Sequence, residues 1–324
     1  MNPKVSILMS IYNENESEII KSINSLITQT YCNLEIIIIV DNPPEKVKYE
    51  QVLLPYEDNN KIIVYYNEQN IGLARSMNVA FDLCSGEYIA RMDADDISVH
   101  NRIEKEVNVI TEKKADFVCT GYKLINEIDE EIEGKYIHYS PDHLKRSLIT
   151  TNCIHHPTIL MTKELFKKSG GYRDFPCSQD YDLWLRLLEL DCNFYMIDEV
   201  LLLYRVRGDS TTNRRSFEQA CTTFYISTLF YQRLTAGTDD YSKKHYTAFI
   251  KECDIKYNTY KKNITNIRKM QKKLGHGVLV TTITRIRLLI ISDFIRDTYL
   301  LKLKLKREAK KRYGNVVVNS FRTL

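Results

Sequence analysis

No uncharged apolar run in this 324-residue chain reaches the roughly 18 residues needed to span a bilayer. Met1-Asn2-Pro3-Lys4-Val5-Ser6-Ile7 enters a strand-like run directly, without the apolar stretch and small-residue cleavage site of a secretory signal, so a cytoplasmic protein is expected. None of the eight cysteines is spaced C-x-x-C, which gives no support to a zinc or redox motif; reduced thiols packed as small hydrophobes are expected. Glycine is missing where two common nucleotide folds require it. The first apolar run is followed by Ser10-Ile11-Tyr12-Asn13-Glu14-Asn15 rather than the G-x-G-x-x-G of a nicotinamide-dependent oxidoreductase, and no G-x-x-x-x-G-K-[ST] phosphate loop occurs. Internal repeats and low-complexity segments are also absent.

What is present is ordinary in amount and uneven in placement. Hydrophobic residues make up 44% and charged residues 27%, values of a soluble globular protein and not of a disordered or fibrous one. Net charge is +4, yet residues 256–312 hold 17 Lys/Arg against 3 Asp/Glu, leaving the remainder at −10. An acidic body with a basic C-terminal arm predicts an anionic partner for the arm.

The first 120 residues alternate strand and helix patterns. Val5–Ser10, Glu35–Val40, Lys61–Tyr66 and Glu87–Met92 read as strands, and Glu18–Thr28 and Ile71–Leu83 as helices. Glu35-Ile36-Ile37-Ile38-Ile39-Val40 has the composition of a strand buried on both faces. This alternation predicts an α/β fold: an open, mostly parallel, Rossmann-like sheet with helices on both faces. Residues 97–215 are read as a looser half with helices at 102–111, 142–149 and 182–189 and strands at 116–124, 158–161 and 199–204. Residues 216–324 are read as a helical, basic extension. The expected domains are therefore 1–215, divided into a ligand-binding half 1–96 and a second half 97–215, and 216–324.

Ligands of such sheets bind at the carboxyl ends of the strands. There stand Ser10-Ile11-Tyr12-Asn13, Asp41-Asn42, Asn67–Gly72 and Asp93-Ala94-Asp95-Asp96. Asp93-Ala94-Asp95 puts two carboxylates in one loop, which Mg²⁺ or Mn²⁺ would neutralise while keeping substrate phosphates in its shell. The same acids are also readable as solvated loop residues or as helix caps, with Asp96 capping a helix from Ile97 onward. Asp41 reads as a turn former before Asn42-Pro43-Pro44 or as an acceptor for a nucleotide base. In Asn70-x-Gly72-x-x-Arg75-x-x-Asn78, Gly72 permits a close backbone approach and Arg75 could meet a diphosphate, or be a solvated helix residue. Asp180, before an amphipathic helix carrying the only Trp, is either an N-cap or a general base. Arg207 is either a surface charge or a phosphate contact.

Taken in order, the Ser10–Asn13 strand end, Asp41, N-x-G-x-x-x-x-x-N, D-x-D, His156-Pro157-Thr158, Gly170-Gly171-Tyr172 and Gln179-Asp180-Tyr181-Asp182-Leu183-Trp184 resemble the family 2 glycosyltransferases of the GT-A fold over about residues 4–215. The resemblance implies inverting transfer of a hexose-type sugar from a nucleotide diphosphate sugar, most often a UDP-sugar. The acceptor would be a hydroxyl of a growing surface glycan, such as a capsular or lipopolysaccharide unit carried on polyprenyl diphosphate. It implies that Tyr12 packs on the base beside the backbone of Ser10, Ile11 and Asn13, and that Asp41 holds the base edge. Asn70, Gly72 and Arg75 would lie near the nucleotide. Asp93 would approach the ribose beside Ala94, Asp95 would bind Mn²⁺ or Mg²⁺, and Asp180 would take the acceptor proton. His156, Gln179, Tyr181 and Trp184 would border the acceptor. Three positions depart from the family pattern: Asn42 stands where a second acid is usual, Gln179 where Glu is frequent, and Arg207 where His is frequent. Arg207 would pair with the diphosphate, since arginine cannot bind a metal. The departures keep open a second reading, an inactive nucleotide-sugar-binding or scaffold protein.

Leu279, Ile283, Ile286, Ile290, Phe294 and Leu301 recur at helical spacing and are followed by clustered lysines and arginines. Residues 278–312 could thus lie on an anionic membrane, at the inner face of the cell membrane, or pack as a helix with a solvated basic face. Nucleic acid is not expected as a partner, because aromatics are sparse in this stretch and no nucleic-acid module is readable.

Overall fold

The apolar run at Leu34–Val40 forms the most deeply buried strand of the structure: every residue of it is buried. The computed structural model describes residues 2–134, 136–207, 216–253 and 293–314, without the side chains of residues 216 and 293–295. The chain divides into one unit of residues 1–210 and another of 211–324.

In the first unit eight strands form one sheet in the order β3-β2-β1-β4-β7-β6-β8-β5. They are β1 (Val5–Ile11), β2 (Leu34–Val40), β3 (Ile62–Tyr66), β4 (Tyr88–Asp93), β5 (Ile97–Ser98), β6 (Phe117–Ile125), β7 (Ile159–Thr162) and β8 (Phe194–Arg205). β3, β2, β1 and β4 run parallel. β7 lies antiparallel between β4 and β6, β8 is parallel to β6, and β5 closes the edge antiparallel to β8. The sheet is mixed but mostly parallel, and it is continuous across both predicted halves.

The helices follow the apolar spacing. α1 (Glu16–Ile27) buries Ile19, Ile23 and Leu26 and leaves Ile27 partly buried. α3 (Leu73–Leu83) starts at Gly72, whose φ of 82° suits glycine. α4 (Arg102–Glu112), α5 (Pro141–Leu148) and α7 (Gln179–Glu189) lie close to the predicted ranges. Two short helices were not expected. α2 (Lys46–Leu53) buries only Tyr49, Val52 and Leu53 amid charged neighbours, too brief a pattern to stand out. α6 (Lys163–Ser169) is capped by the Thr162 hydroxyl and ends at left-handed Gly170. β8 begins five residues earlier than expected. Its register slips opposite Thr120–Tyr122, and Asp198 and Glu199 face solvent there, which hides the alternation. Ile97–Ser98 is a strand and not a helix start, so Asp96 caps no helix; its Oδ1 accepts the Arg205 backbone N–H at 2.8 Å.

Glu35 is the polar exception inside β2. Its carboxylate accepts Ser6 Oγ–H at 2.6 Å, Ser85 N–H at 2.6 Å and Ser85 Oγ–H at 2.8 Å, and pairs with Lys4 at 2.5 Å. It thereby ties the amino ends of β1 and β2 to the turn before β4.

In the second unit, Ser216–Ala236 and Asp293–Tyr313 form long helices packed on each other, with a third helix at 243–253. Leu301, Leu305 and Ala309 are buried at four-residue spacing. Lys304, Arg307, Lys310 and Lys311 are exposed on the rest of that helix. Of the predicted arm 278–312, residues 278–292 lie outside the described residues. Among the described residues no helix is long and apolar enough to cross a membrane.

Burial raises the Glu35 pKa, but Lys4, Ser6 and Ser85 overcome it and lower the carboxyl to about 2. A depressed acid contributes stability that is present above its unfolded pKa of about 4.3 and is lost as pH falls towards the folded value. Glu35→Gln is therefore expected to lower unfolding free energy by about 2 kcal/mol at pH 7. The gap from wild type should close between about pH 4.5 and pH 2 in urea titrations.

Candidate active site

Parallel pairing brings four strand ends to one edge. Ser10 is in register with both Ile39 and Asp93, Ile11 with Val40, and Val40 with Tyr66. Tyr12, Asp41, Asn67 and Ala94 therefore leave the sheet side by side.

Tyr12 is 52% exposed, a ring open to stack on a planar ligand. Asn13 is exposed, whereas Ile11 is fully buried and offers only its backbone. Asn42 Nδ2 donates to the Tyr12 carbonyl at 2.5 Å, and the Tyr49 hydroxyl donates to the same oxygen at 2.9 Å. A carboxylate at position 42 could not donate there. Asp41 is nearly inaccessible at 2% exposure. Its Oδ1 accepts Asn67 Nδ2 at 2.7 Å and the Ile71 N–H at 2.9 Å, and its Oδ2 accepts the Gly72 N–H at 2.8 Å. Asn70 Nδ2 donates to the Asp41 carbonyl at 3.0 Å. Asp41 thus fixes the loop that opens α3, and a Cβ on Gly72 would meet nothing within 4 Å, so open space lies before it. Arg75 is half-exposed and pairs with Asp174 at 2.5 Å.

The turn after β4 is an acidic notch. One carboxylate oxygen each of Asp93, Asp95 and Asp96 lies within 4.8 Å of the others. Glu18, in the first turn of α1, and Glu14, just before that helix, add two more acids. Three arginines answer them. Arg91, buried in β4, pairs with Asp93. Arg205 is fully buried and donates from Nε to the Asp95 carbonyl and from Nη1 to the Asn126 carbonyl, both at 2.8 Å, and from Nη2 to Asp129 at 2.5 Å. Arg207 lies 3.0 Å from Asp95 Oδ2, 3.4 Å from Glu18 and 4.0 Å from Glu14. Burial and then the Asp93 charge push the Asp95 pKa up to about 7, against the pull of Arg207. Burial also raises Glu14 and Asp96. Asp96 Oδ2 is buried without a hydrogen-bond partner. Hard carboxylate oxygens with one unsatisfied, buried member match the ligand preference of Mg²⁺ or Mn²⁺.

Asp180 is the second residue of α7; Ser178, at φ 56°, occupies the N-cap position instead. Asn152 Nδ2 donates to Asp180 Oδ2 at 2.8 Å. Burial raises the Asp180 pKa, while Asn152, the Tyr181 N–H and the Arg91 charge oppose the rise. Tyr172 feels both Asp180 and Asp93. Asp180 therefore shares an electrostatic neighbourhood with the arginine that holds the notch, although 87 residues separate it from Asp93 in sequence.

All four residues expected to border an acceptor have buried side chains. Trp184 and Tyr181 are fully buried: the Trp184 ring packs edge-on against Phe117, and the Tyr181 hydroxyl donates to the Leu148 carbonyl at 2.9 Å. His156 is buried with Nε2 at 2.6 Å from the Tyr172 hydroxyl and its ring against Trp184. Burial lowers its pKa, so it is a neutral packing residue. Gln179 is 6% exposed. α7 buries nearly its whole circumference, and adjacency to Asp180 in sequence does not place a side chain on the same face. Sequence reasoning also missed Asn152, Arg91 and Arg205. Arg205 was visible beside Arg207 at a strand end, whereas Asn152 carries no sequence signal of its own.

The other recurring motifs serve as fasteners. Asn78, closing N-x-G-x-x-x-x-x-N, exchanges two hydrogen bonds with the Tyr172 backbone at 2.8 and 2.9 Å. A Cβ on Gly171 would come within 2.7 Å of Asn78 Oδ1, so the Gly170-Gly171-Tyr172 turn needs glycine there. Buried Arg102 donates to the Pro157 carbonyl at 2.9 Å and the Arg91 carbonyl at 3.0 Å, fastening the His156-Pro157-Thr158 turn to β4.

A mostly parallel sheet with an exposed aromatic, a braced loop and an acid turn along one carboxyl edge is the GT-A architecture. TarS 1–349 of S. aureus, solved in complex with UDP-GlcNAc, aligns with a TM-score of 0.59 at 16% identity, covering 96% of this chain and 92% of that one, a likeness of fold. Residues 6–170 match the pattern of Glycosyl transferase family 2, and the chain belongs to this family. An uncharacterized glycosyltransferase of Methanocaldococcus jannaschii is 31% identical over 247 residues, covering 75% of this chain and 82% of the relative. The O-antigen biosynthesis glycosyltransferase WbnJ of Escherichia coli is 34% identical over 229 residues, covering 68% and 87%.

The burial of Trp184 yields a direct check. Trp184→Ala is expected to cost about 3–5 kcal/mol of stability in urea titration, because it empties a closed core site. Nucleotide binding by the protein that remains folded should be unchanged by calorimetry.

Proposed function

We propose that this glycosyltransferase moves a hexose-type sugar from a UDP-sugar, with inversion, to a hydroxyl of a surface polysaccharide under construction, carried on a lipid diphosphate. The observation that carries the reading is the convergence at one sheet edge of Tyr12, the Asp41-braced loop and the Asp93–Asp95 turn, with Asp180 in the field of Arg91. The O-antigen role in the name of WbnJ and the UDP-GlcNAc bound by TarS support the donor and product class.

In this reading Tyr12 stacks on the base, the Asn70–Gly72 backbone lies along the nucleotide, and Asp93 meets the ribose. Asp95, with Asp93 and Asp96, would hold Mn²⁺ or Mg²⁺, which supplies positive charge to the leaving diphosphate. Arg207 reaches the same oxygens with a guanidinium suited to paired phosphate contacts. Asp180 accepts the proton of the acceptor hydroxyl as its oxygen bonds to the anomeric carbon. The bond from that carbon to the diphosphate oxygen breaks on the opposite face, which inverts the centre. Asn152 holds Asp180 in place and favours its ionised form. The exposed lysines and arginines of Asp293–Tyr313 form a basic face suited to an anionic membrane.

The test is a panel of UDP-sugars with Mn²⁺ and a membrane extract. Transfer or hydrolysis is expected with one donor, lost by at least about a hundredfold in Asp180→Asn with UDP binding intact. Binding without any turnover by the native protein would favour the scaffold reading. Asn152→Ala removes a contact that lowers the Asp180 pKa, so the acid limb of the kcat profile should move to higher pH. The deficit should be largest at low pH and shrink as pH rises; a uniform deficit would assign Asn152 a different part.

A further inference from the structure

Arg207 differs from its two neighbours in how it is held. Arg91 and Arg205 are buried in strands, at 2% and 0% side-chain exposure. Arg205 is also laced to two backbone carbonyls. Arg207 lies two residues beyond the end of β8, with its side chain 18% exposed, and it reaches three separate carboxylates: Asp95 at 3.0 Å, Glu18 at 3.4 Å and Glu14 at 4.0 Å. The oxygen it touches most closely, Asp95 Oδ2, belongs to the group of three acids that a divalent ion would use.

We propose that Arg207 is a built-in counter-cation that competes with divalent metal for Asp95 and yields that position only when a nucleotide diphosphate draws the guanidinium away. The proposal rests on the functional reading above and goes beyond it, because it makes metal affinity depend on the donor. A guanidinium is permanently charged and has no lone pair, so it cannot share a coordination shell as a ligand. A metal–carboxylate bond of about 2.1 Å on the same oxygen would set a divalent charge against it at close range. A diphosphate removes this conflict, because its oxygens pair with Arg207 and coordinate the metal together. Metal and diphosphate then bind with positive coupling, each raising the affinity of the other equally. In the absence of both, Arg207 offsets the mutual repulsion of Glu14, Glu18 and Asp95.

The test measures binding of Mn²⁺ alone to the full chain, by loss of the free-ion paramagnetic resonance signal and by calorimetry. Arg207→Gln and Arg207→Ala are expected to bind Mn²⁺ at least tenfold more tightly than wild type, and Arg207→Lys to stay near wild type. UDP should tighten Mn²⁺ binding by at least tenfold in wild type and by a clearly smaller factor in Arg207→Gln, where only the direct contact between diphosphate and metal remains. Melting temperatures should fall in both neutral variants and recover with Mn²⁺, which keeps the test decisive if either variant is unstable. Equal Mn²⁺ affinity in wild type and Arg207→Gln, or no Mn²⁺ binding by either, overturns the proposal. Asp95→Asn separates the two ideas. If it abolishes Mn²⁺ binding while the Arg207 variants match wild type, only the competition fails. If Arg207→Gln/Asp95→Asn binds Mn²⁺ as tightly as Arg207→Gln, the assignment of Asp95 to the metal fails with it.

Discussion

Five carboxylates meet at one edge of a sheet, and the first unit must hold them there against their own repulsion. Glu14 and Glu18, just before and within α1, and Asp93, Asp95 and Asp96, at and after the end of β4, are partly removed from water, where like charges are most costly. Arg91 pairs with Asp93, Arg205 threads the turn backbone, and Arg207 bridges the outer acids. Behind them the fully buried β2 and the near-fully buried β1 supply a rigid apolar support. An arrangement that strained persists only where the surroundings over-determine it, and such concentrations of unfavourable charge cluster at functional sites.

The support was far easier to read from the sequence than the charges it holds. Glu35–Val40 announces a buried strand by composition alone, and the carboxyl-edge rule for parallel sheets then places Tyr12, Asp41 and Asp93 together without any contact being known. Order of motifs along the chain did the rest, since each motif alone is ambiguous. What was illegible is of one kind. The bonds of Glu35 to Ser6 and Ser85, of Asn152 to Asp180 and of Arg205 to the Asp95 carbonyl span 28 to 110 residues, and no local pattern records them. The α7 side chains show the converse error. Tyr181 follows Asp180 directly, yet successive helical residues turn about 100°, and its side chain is fully buried; Trp184, about one turn further on, is fully buried as well.

Asp41 illustrates how a place at the sheet edge can leave a role half specified. A carboxylate has about four acceptor positions. Three are filled by Asn67, Ile71 and Gly72, so a base edge could claim only what remains. The larger effect of Asp41 is on the loop: it sets the Ile71 and Gly72 backbone before any ligand arrives, and that preorganisation lowers the ordering cost of binding. Tyr12 is prepared in the same manner by Asn42 and Tyr49, which both donate to its carbonyl.

The three departures from the family pattern then share a sign. Asn42 replaces an acid with a group that can donate to Tyr12, which an ionised carboxylate could not do. Gln179 removes an acid from the residue before Asp180, whose pKa burial already raises; a carboxylate there would raise it further. Arg207 puts a permanent cation where a titratable, metal-binding imidazole is frequent. Two changes delete negative charge and one adds positive charge. On the proposed reading, all three changes act in one direction: they would favour a dianionic diphosphate and disfavour a free divalent cation, relative to the five carboxylates alone.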